Sequence, residues 1–303
     1  MSWFWFSIIA LLMWSGSDLF SKIGCREASD KVSHLKMVTA VGIVMGLHAA
    51  YEIFIGGVEI NLDIMLTYLP VSLLYILSMA IGYVSLRYIE LSISSPICNS
   101  SGALVAIMSL ITVGFGGVHP LMLGATALVC VGVIGLGIVE SREDEQLRAA
   151  RQDKANFRYS KSFLAILLPV IYCVLDAAGT FADSIVLETL DEDSANVAYE
   201  LTFLAAGVVS FVYACLIKKS PLVPKMEAPK YIGAIFETAG QFAYIYAIAD
   251  SEHLAMSAPI ISSYCAASVL WSRIFLKEKL SKKHYAAVLV VIIGIAIIGF
   301  FDA

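Results

Sequence analysis

The chain has 303 residues, 59% of them hydrophobic and only 15% charged, with a mean hydropathy of +0.82. That composition leaves no room for a sizeable soluble domain, and no nucleic-acid partner is expected. The net charge of −5 matters less than where the charges fall.

A helix needs about 20 apolar residues to cross the roughly 30 Å hydrocarbon layer. Hydropathy predicts ten such spans, at residues 2–24, 33–56, 66–88, 92–113, 118–139, 162–187, 195–217, 229–249, 253–275 and 284–301. The predicted fold class is therefore all-α integral membrane, with ten transmembrane helices and the lipid bilayer as solvent. Span one lacks a basic n-region and a small-residue cleavage site, so it is expected to remain in the mature protein. It carries Trp14, a possible weak point at Ser15-Gly16-Ser17, and Asp18, with Lys22 one turn later in the order that favours an ion pair. Span two holds His48 and the small residues Gly42 and Gly46, span three Tyr83, and span five Gly132 and Gly135. These glycines permit close helix contacts, either within the chain or between two copies in a homodimer. Residues 140–161 read as a mixed-charge linker. Span six contains Tyr172, Asp176, Gly179 and Thr180, and span eight Glu237, Gln241 and Tyr244 at helical spacing. The six cysteines lie in or at the ends of apolar helices without metal-type spacing, so they read as buried thiols rather than ligands or disulfides.

With ten spans, all twenty Lys and Arg residues fall on one face, and the face with both termini has none. Because positively charged short loops stay in the cytoplasm, both termini are expected outside, in a bacterial or archaeal plasma membrane. The outer loops are acidic, with Glu59, Asp63, Glu188, Asp191, Glu192, Asp193, Asp250 and Glu252. Asp183, Glu200 and Glu52 sit near outer helix ends, where solvation or first-turn dipole effects would account for them.

Sliding the chain against itself by 163 residues aligns spans three and four with eight and nine: Tyr68, Tyr83, Ser94, Pro96, Ser100 and Ser109 recur as Tyr231, Tyr246, Ser257, Pro259, Ser263 and Ser272. A slightly different offset places Trp14 and Asp18 on Tyr172 and Asp176. Five spans is an odd number, so the second unit would be upside down relative to the first. The predicted organisation is a first five-helix repeat over residues 1–139, a cytoplasmic linker over 140–161 and a second repeat over 162–303, an architecture that builds a midplane site in many secondary transporters.

Ser94-Ser95-Pro96 opening span four, Ser257-Ala258-Pro259 opening span nine, and the close from Phe275 through Glu278 to Ser281, before an apolar helix with Gly294 and Gly299, resemble the drug/metabolite transporter superfamily, EamA type. The resemblance spans the chain as two five-helix units. The turn at Glu278 has no counterpart in the first half, where Gly114, Gly116 and Gly117 stand. What the resemblance implies is a carrier of small metabolites, amino acids, amines or nucleotide sugars, working by proton coupling, exchange or facilitated diffusion, with no cofactor.

A charge at the bilayer centre costs about 2.5–3.5 kcal/mol on insertion scales, so an intramembrane carboxylate should face a cavity or a partner. Asp176 and Glu237 lie well inside their spans, and either could bind a cationic cargo or carry a proton. The candidate substrate-binding set is Trp14, Asp18, Tyr83, Tyr172, Asp176, Glu237, Gln241 and Tyr244, with Asp176, Glu237 and His48 as candidates for proton or other ion coupling. Aromatic rings beside carboxylates suit an organic cation. The absence of Lys and Arg from mid-span argues against phosphorylated cargo. The leading expectation is a secondary transporter of an amine-bearing or quaternary ammonium small molecule. A proton-coupled amino-acid or drug exporter is the alternative, with a membrane scaffold or an intramembrane aspartyl hydrolase on Asp18 and Asp176 as readings of another class.

Overall fold

In the computed structural model the described residues are 2–25, 30–85, 96–114, 119–141, 163–275 and 280–302. Among them the regular structure is helical: α1 (Trp3–Cys25), α2 (Ser33–Tyr51), α3 (Leu62–Ser85), α4 (Ser101–Val113), α5 (Pro120–Ser141), α6 (Phe163–Val186), α7 (Glu192–Phe211), α8 (Pro224–Ile248), α9 (Leu254–Ser262), α10 (Tyr264–Phe275) and α11 (Lys282–Asp302). Eight helical stretches are long and apolar enough to cross a membrane, and α9 with α10 forms one of them. The remaining two of the ten positions belong to α4, whose described part is short, and to α8, whose apolar run is interrupted by Lys225, Glu227, Lys230 and Glu237. Large apolar side chains point outward around the bundle, Phe54 at 84% and Phe300 at 80% exposure among them, as expected where lipid replaces water.

Each of the most extensive helix packings joins an early element to a late one: α1 with α8, α5 with α11, α2 with α7, α3 with α6, and α4 with α9. At two of these crossings a glycine lets the partner helix's backbone come close. At Gly42 of α2 an added Cβ would fall 2.9 Å from the Cα of Gly207 in α7, and at Gly207 one would fall 3.0 Å from the Cα of Gly42. The α5–α11 crossing is reciprocal. A Cβ on Gly132 would meet the backbone N of Val291 at 3.1 Å and the Ala287 carbonyl at 3.2 Å, and one on Gly294 would meet the N of Val129 at 3.1 Å and the Ala125 carbonyl at 2.8 Å. Small residues let backbones approach this closely, which matters where lipid gives no hydrophobic drive to helix pairing. Both α2 and α7 also wind into a π-helical turn at their C-termini, over Glu52–Gly56 and Val212–Ile217.

The two ends of the bundle differ in charge. At one, the start of α1 meets the α8–α9 link where Trp3 stacks on His253 (4.9 Å), and the Ser194 hydroxyl donates to the Glu59 carbonyl at 3.2 Å. At the other, Lys36 donates to the Pro221 carbonyl (2.8 Å) and pairs with Asp30 (2.8 Å) and Glu227 (3.5 Å), while Lys230 pairs with Glu227 (3.0 Å). Lys36 and Lys230 read from sequence as loop-end charges. They are instead buried: Glu227 lies between them and pairs with both, and Asp30 pairs with Lys36. A second correction concerns Asp183 and Glu200, which are 0% exposed rather than solvated at helix ends. Burial is compensated by hydrogen bonds: Glu200 binds His48 Nδ1 at 2.9 Å and the Asn196 amide at 3.3 Å, and Asp183 is held by two tyrosines. All six cysteines are free thiols.

Candidate functional site

A pocket lies at the centre of the bundle, bounded by α1, α3, α4, α6, α7, α8, α9 and α10. Of the eight residues singled out as substrate-binding, it brings together seven: Trp14, Asp18, Tyr172, Asp176, Glu237, Gln241 and Tyr244. The Tyr83 side chain lies outside the described residues. Its repeat counterpart Tyr246 is not in the pocket; it stacks on Phe6 (5.0 Å) and hydrogen-bonds Asp193. His48 is also elsewhere, between Glu200 and Glu52 on the α2–α7 side.

The gathering follows from helical spacing. Tyr172, Asp176 and Thr180 stand four residues apart on one face of α6, and Glu237, Gln241 and Tyr244 follow the same face of α8. Glycines draw the large rings inward. Gly240 of α8 lies against the Trp14 indole, and Gly82 of α3 lies against the Tyr172 ring, with room for a Cβ at neither. The sequence offset that relates Trp14 to Tyr172 also relates Gly82 to Gly240.

Three carboxylates line this pocket, and no Lys or Arg is among its described lining residues. Each acid has a hydroxyl nearby: Ser101 beside Asp176, Ser17 beside Glu237, and Ser268 beside Asp18. Asp18 Oδ2 and Ser268 Oγ nevertheless have no hydrogen-bond partner. Trp14 Nε1 and Gln241 Nε2 are likewise unpartnered. The rings of Trp14 and Tyr244 are 5.0 Å apart, and Trp14 and Tyr264 meet edge to face at 6.0 Å.

Toward the end bearing Trp3 and Glu59, the pocket stops at a hydrogen-bonded cluster. The Tyr75 and Tyr244 hydroxyls bond each other, and both reach Thr180 Oγ1, at 3.3 and 3.0 Å. Behind them Asp183 accepts from Tyr75 (3.2 Å) and from Tyr68 (2.8 Å). Sequence reasoning missed Tyr75 and Asp183. Tyr68 and Tyr75 are seven residues apart on one face of α3, and Thr180 and Asp183 three apart on α6, a pairing of spacings that could have found them.

Sequence reasoning also missed two breaks. Span nine is interrupted at Ser263 between α9 and α10, and span four has a turn at Asn99–Ser100 before α4. Ser100 (φ −67°, ψ −7°) and Ser263 (φ −73°, ψ 4°) share one backbone conformation and are partners in the sequence repeat. Each hydroxyl bonds back to its own helix, Ser100 to the Pro96 carbonyl (2.8 Å) and Ser263 to that of Ile260 (2.6 Å). A proline that cannot donate, followed by a back-bonding serine, bends a helix. Asn99, Ser262 and Tyr264, flanking these breaks, all line the pocket. A break in span one at Ser15-Gly16-Ser17 does not occur, since α1 is continuous through it.

Residues 163–300 match the model of the EamA-like transporter family. The match covers a little under half of the chain, and that family is part of the drug/metabolite transporter superfamily. Among solved structures, one described only as the crystal structure of a protein superposes with a TM-score of 0.66 at 12% identity, covering 99% of this chain and 96% of the other. At that identity the likeness concerns the fold, which is shared over nearly the whole chain. No curated protein matches the sequence. Family members are membrane transporters of small molecules, and the helices are those of a multi-pass integral membrane protein.

Proposed function

We propose that the chain is a secondary transporter of a small organic cation, amine-bearing or quaternary ammonium, with Asp176 and Glu237 as charge partners and Asp18 beside them. The observation that carries this reading is the lining of the central pocket. Three carboxylates and the rings of Trp14, Tyr75, Tyr172, Tyr199, Tyr244 and Tyr264 face it without a basic residue among the described lining. A desolvated cation gains about 2 kcal/mol or more from such rings, in addition to the carboxylates. The test is flux in proteoliposomes. Uptake of a quaternary ammonium probe should fall at least tenfold in Asp176→Asn and in Glu237→Gln, and unchanged uptake in both variants would overturn the site.

Alternating access between two inverted repeats, residues 1–139 and 162–303, is part of the proposal. The packing supports it: exchanging each span with its counterpart five spans later turns α1–α8 into α6–α3 and maps the α2–α7, α4–α9 and α5–α11 pairs onto themselves. Both termini are placed outside and the Lys-bearing end in the cytoplasm. Labelling of single cysteines introduced beside Glu59 and beside Lys219 by an impermeant thiol reagent on intact cells tests this, the first reacting and the second not.

Exchange of cargo against a proton is a second reading, favoured by three carboxylates in one pocket, with Asp18 and Asp176 both repelling Glu237. It requires that an imposed pH gradient alone drive uptake. His48 is a weaker carrier in this reading, since it is bonded to Glu200 outside the pocket.

A further inference from the structure

The polar groups of the pocket lie in two layers. Helices α1 and α8 form one of the bundle's most extensive packings, and their start and end meet near Trp3 and His253, so they run antiparallel. Trp14 precedes Asp18 by four residues on α1, and Gln241 follows Glu237 by four on α8. In an antiparallel pair these offsets add in the same direction. Both acids occupy one level, and both N–H donors occupy the level one helical turn nearer the Trp3 end, about 6 Å away. The Trp14 indole packs on α8 at Gly240, the residue before Gln241: a Cβ there would fall 2.7 Å from Trp14 Nε1.

Neither donor has a partner. Gln241 is 3% exposed, and Gln241 Nε2 and Trp14 Nε1 both lack a hydrogen bond, although buried N–H groups are nearly always paired and leaving one unpaired is costly. Two orphaned donors in the lining of a cavity point to an acceptor that the cargo brings. With three carboxylates and no described basic residue in the same lining, an anionic acceptor would be repelled. We infer that the cargo carries a neutral hydrogen-bond acceptor, a hydroxyl, ether, ester or amide oxygen, about one helical turn (~6 Å) from its cationic nitrogen, and that Trp14 and Gln241 select for it. This rests on the organic-cation reading of the same pocket and adds a second recognition point to it.

The test uses the purified full-length protein and two probes of equal length, pentyltrimethylammonium and 4-hydroxybutyltrimethylammonium, with affinities from ligand-induced thermal shifts. The wild type should prefer the hydroxylated probe by about 2- to 10-fold for each hydrogen bond gained. Trp14→Phe, which keeps an aromatic ring, and Gln241→Leu should each reduce that preference, and the double variant should bring the two probes to equal affinity. Equal affinity in the wild type, with binding of both lost in Asp176→Asn, would overturn the acceptor inference alone and leave the cation site standing. A preference that survives the double variant would also overturn it. If neither probe stabilises the wild type, the cation reading fails and the inference falls with it.

Discussion

The acids at the centre of the bundle and the acids around it are held in opposite ways. Asp183 and Glu200 are fully enclosed, and their oxygens are bonded by Tyr68, Tyr75, His48 and Asn196. Asp30 and Glu227 are tied to Lys36 and Lys230. Asp18, Asp176 and Glu237 each have a neighbouring hydroxyl, with the charge of Lys22 also acting on Asp18, and they face a cavity. A polar group in a membrane bundle thus either fastens helices together or waits for something that is not protein, and its count of partners separates the two roles.

The largest effect expected from this division lies in the ionic cluster. Lys36→Met leaves Asp30 without a cation and should cost about 3–5 kcal/mol, seen as a marked fall in melting temperature in detergent. Next is Asp183→Ala, which deprives Tyr68 of its acceptor and should cost about 1–2 kcal/mol, the range for an interhelical hydrogen bond in hydrocarbon. His48→Gln keeps a donor toward Glu200 and should change melting by less than about 1 kcal/mol while uptake persists. The smallest stability effect, about 0.5 kcal/mol or less, belongs to Asp176→Asn, an isosteric change at a group with no tight protein partner. A melting temperature lowered as far by Asp176→Asn as by Asp183→Ala would erase the distinction.

Hydropathy located the helices because a lipid-facing helix must be apolar on every exposed side, so the signal is long and redundant. The starts of α3 and α8 differ from the expected boundaries by four and five residues, as their first turns carry Asp63 and Glu227 and read as loop. Asp176 and Glu237 were legible because an isolated charge stands out in an apolar run. Tyr75, Tyr199 and Tyr264 were not, since a tyrosine that lines a cavity and one that packs between helices look alike in sequence. Asp183 was misread because distance from a helix end says nothing about which neighbouring helix covers it. The breaks at Ser100 and Ser263 were hidden in residues that the repeat had aligned but whose backbone consequence needs three dimensions.

The pairing of early helices with late ones has a consequence for how the molecule is made. During synthesis, N-terminal segments enter the membrane first. Here α2 has no α7 to receive its Gly42, and α5 has no α11 to cover its Gly132, until about half a chain later. The newly made first half must therefore wait in the bilayer with its contact faces turned toward lipid or toward an insertion factor. A ribosome stalled after α5 would leave a fragment with nothing to close against, marked for removal by the very surfaces that the finished protein conceals.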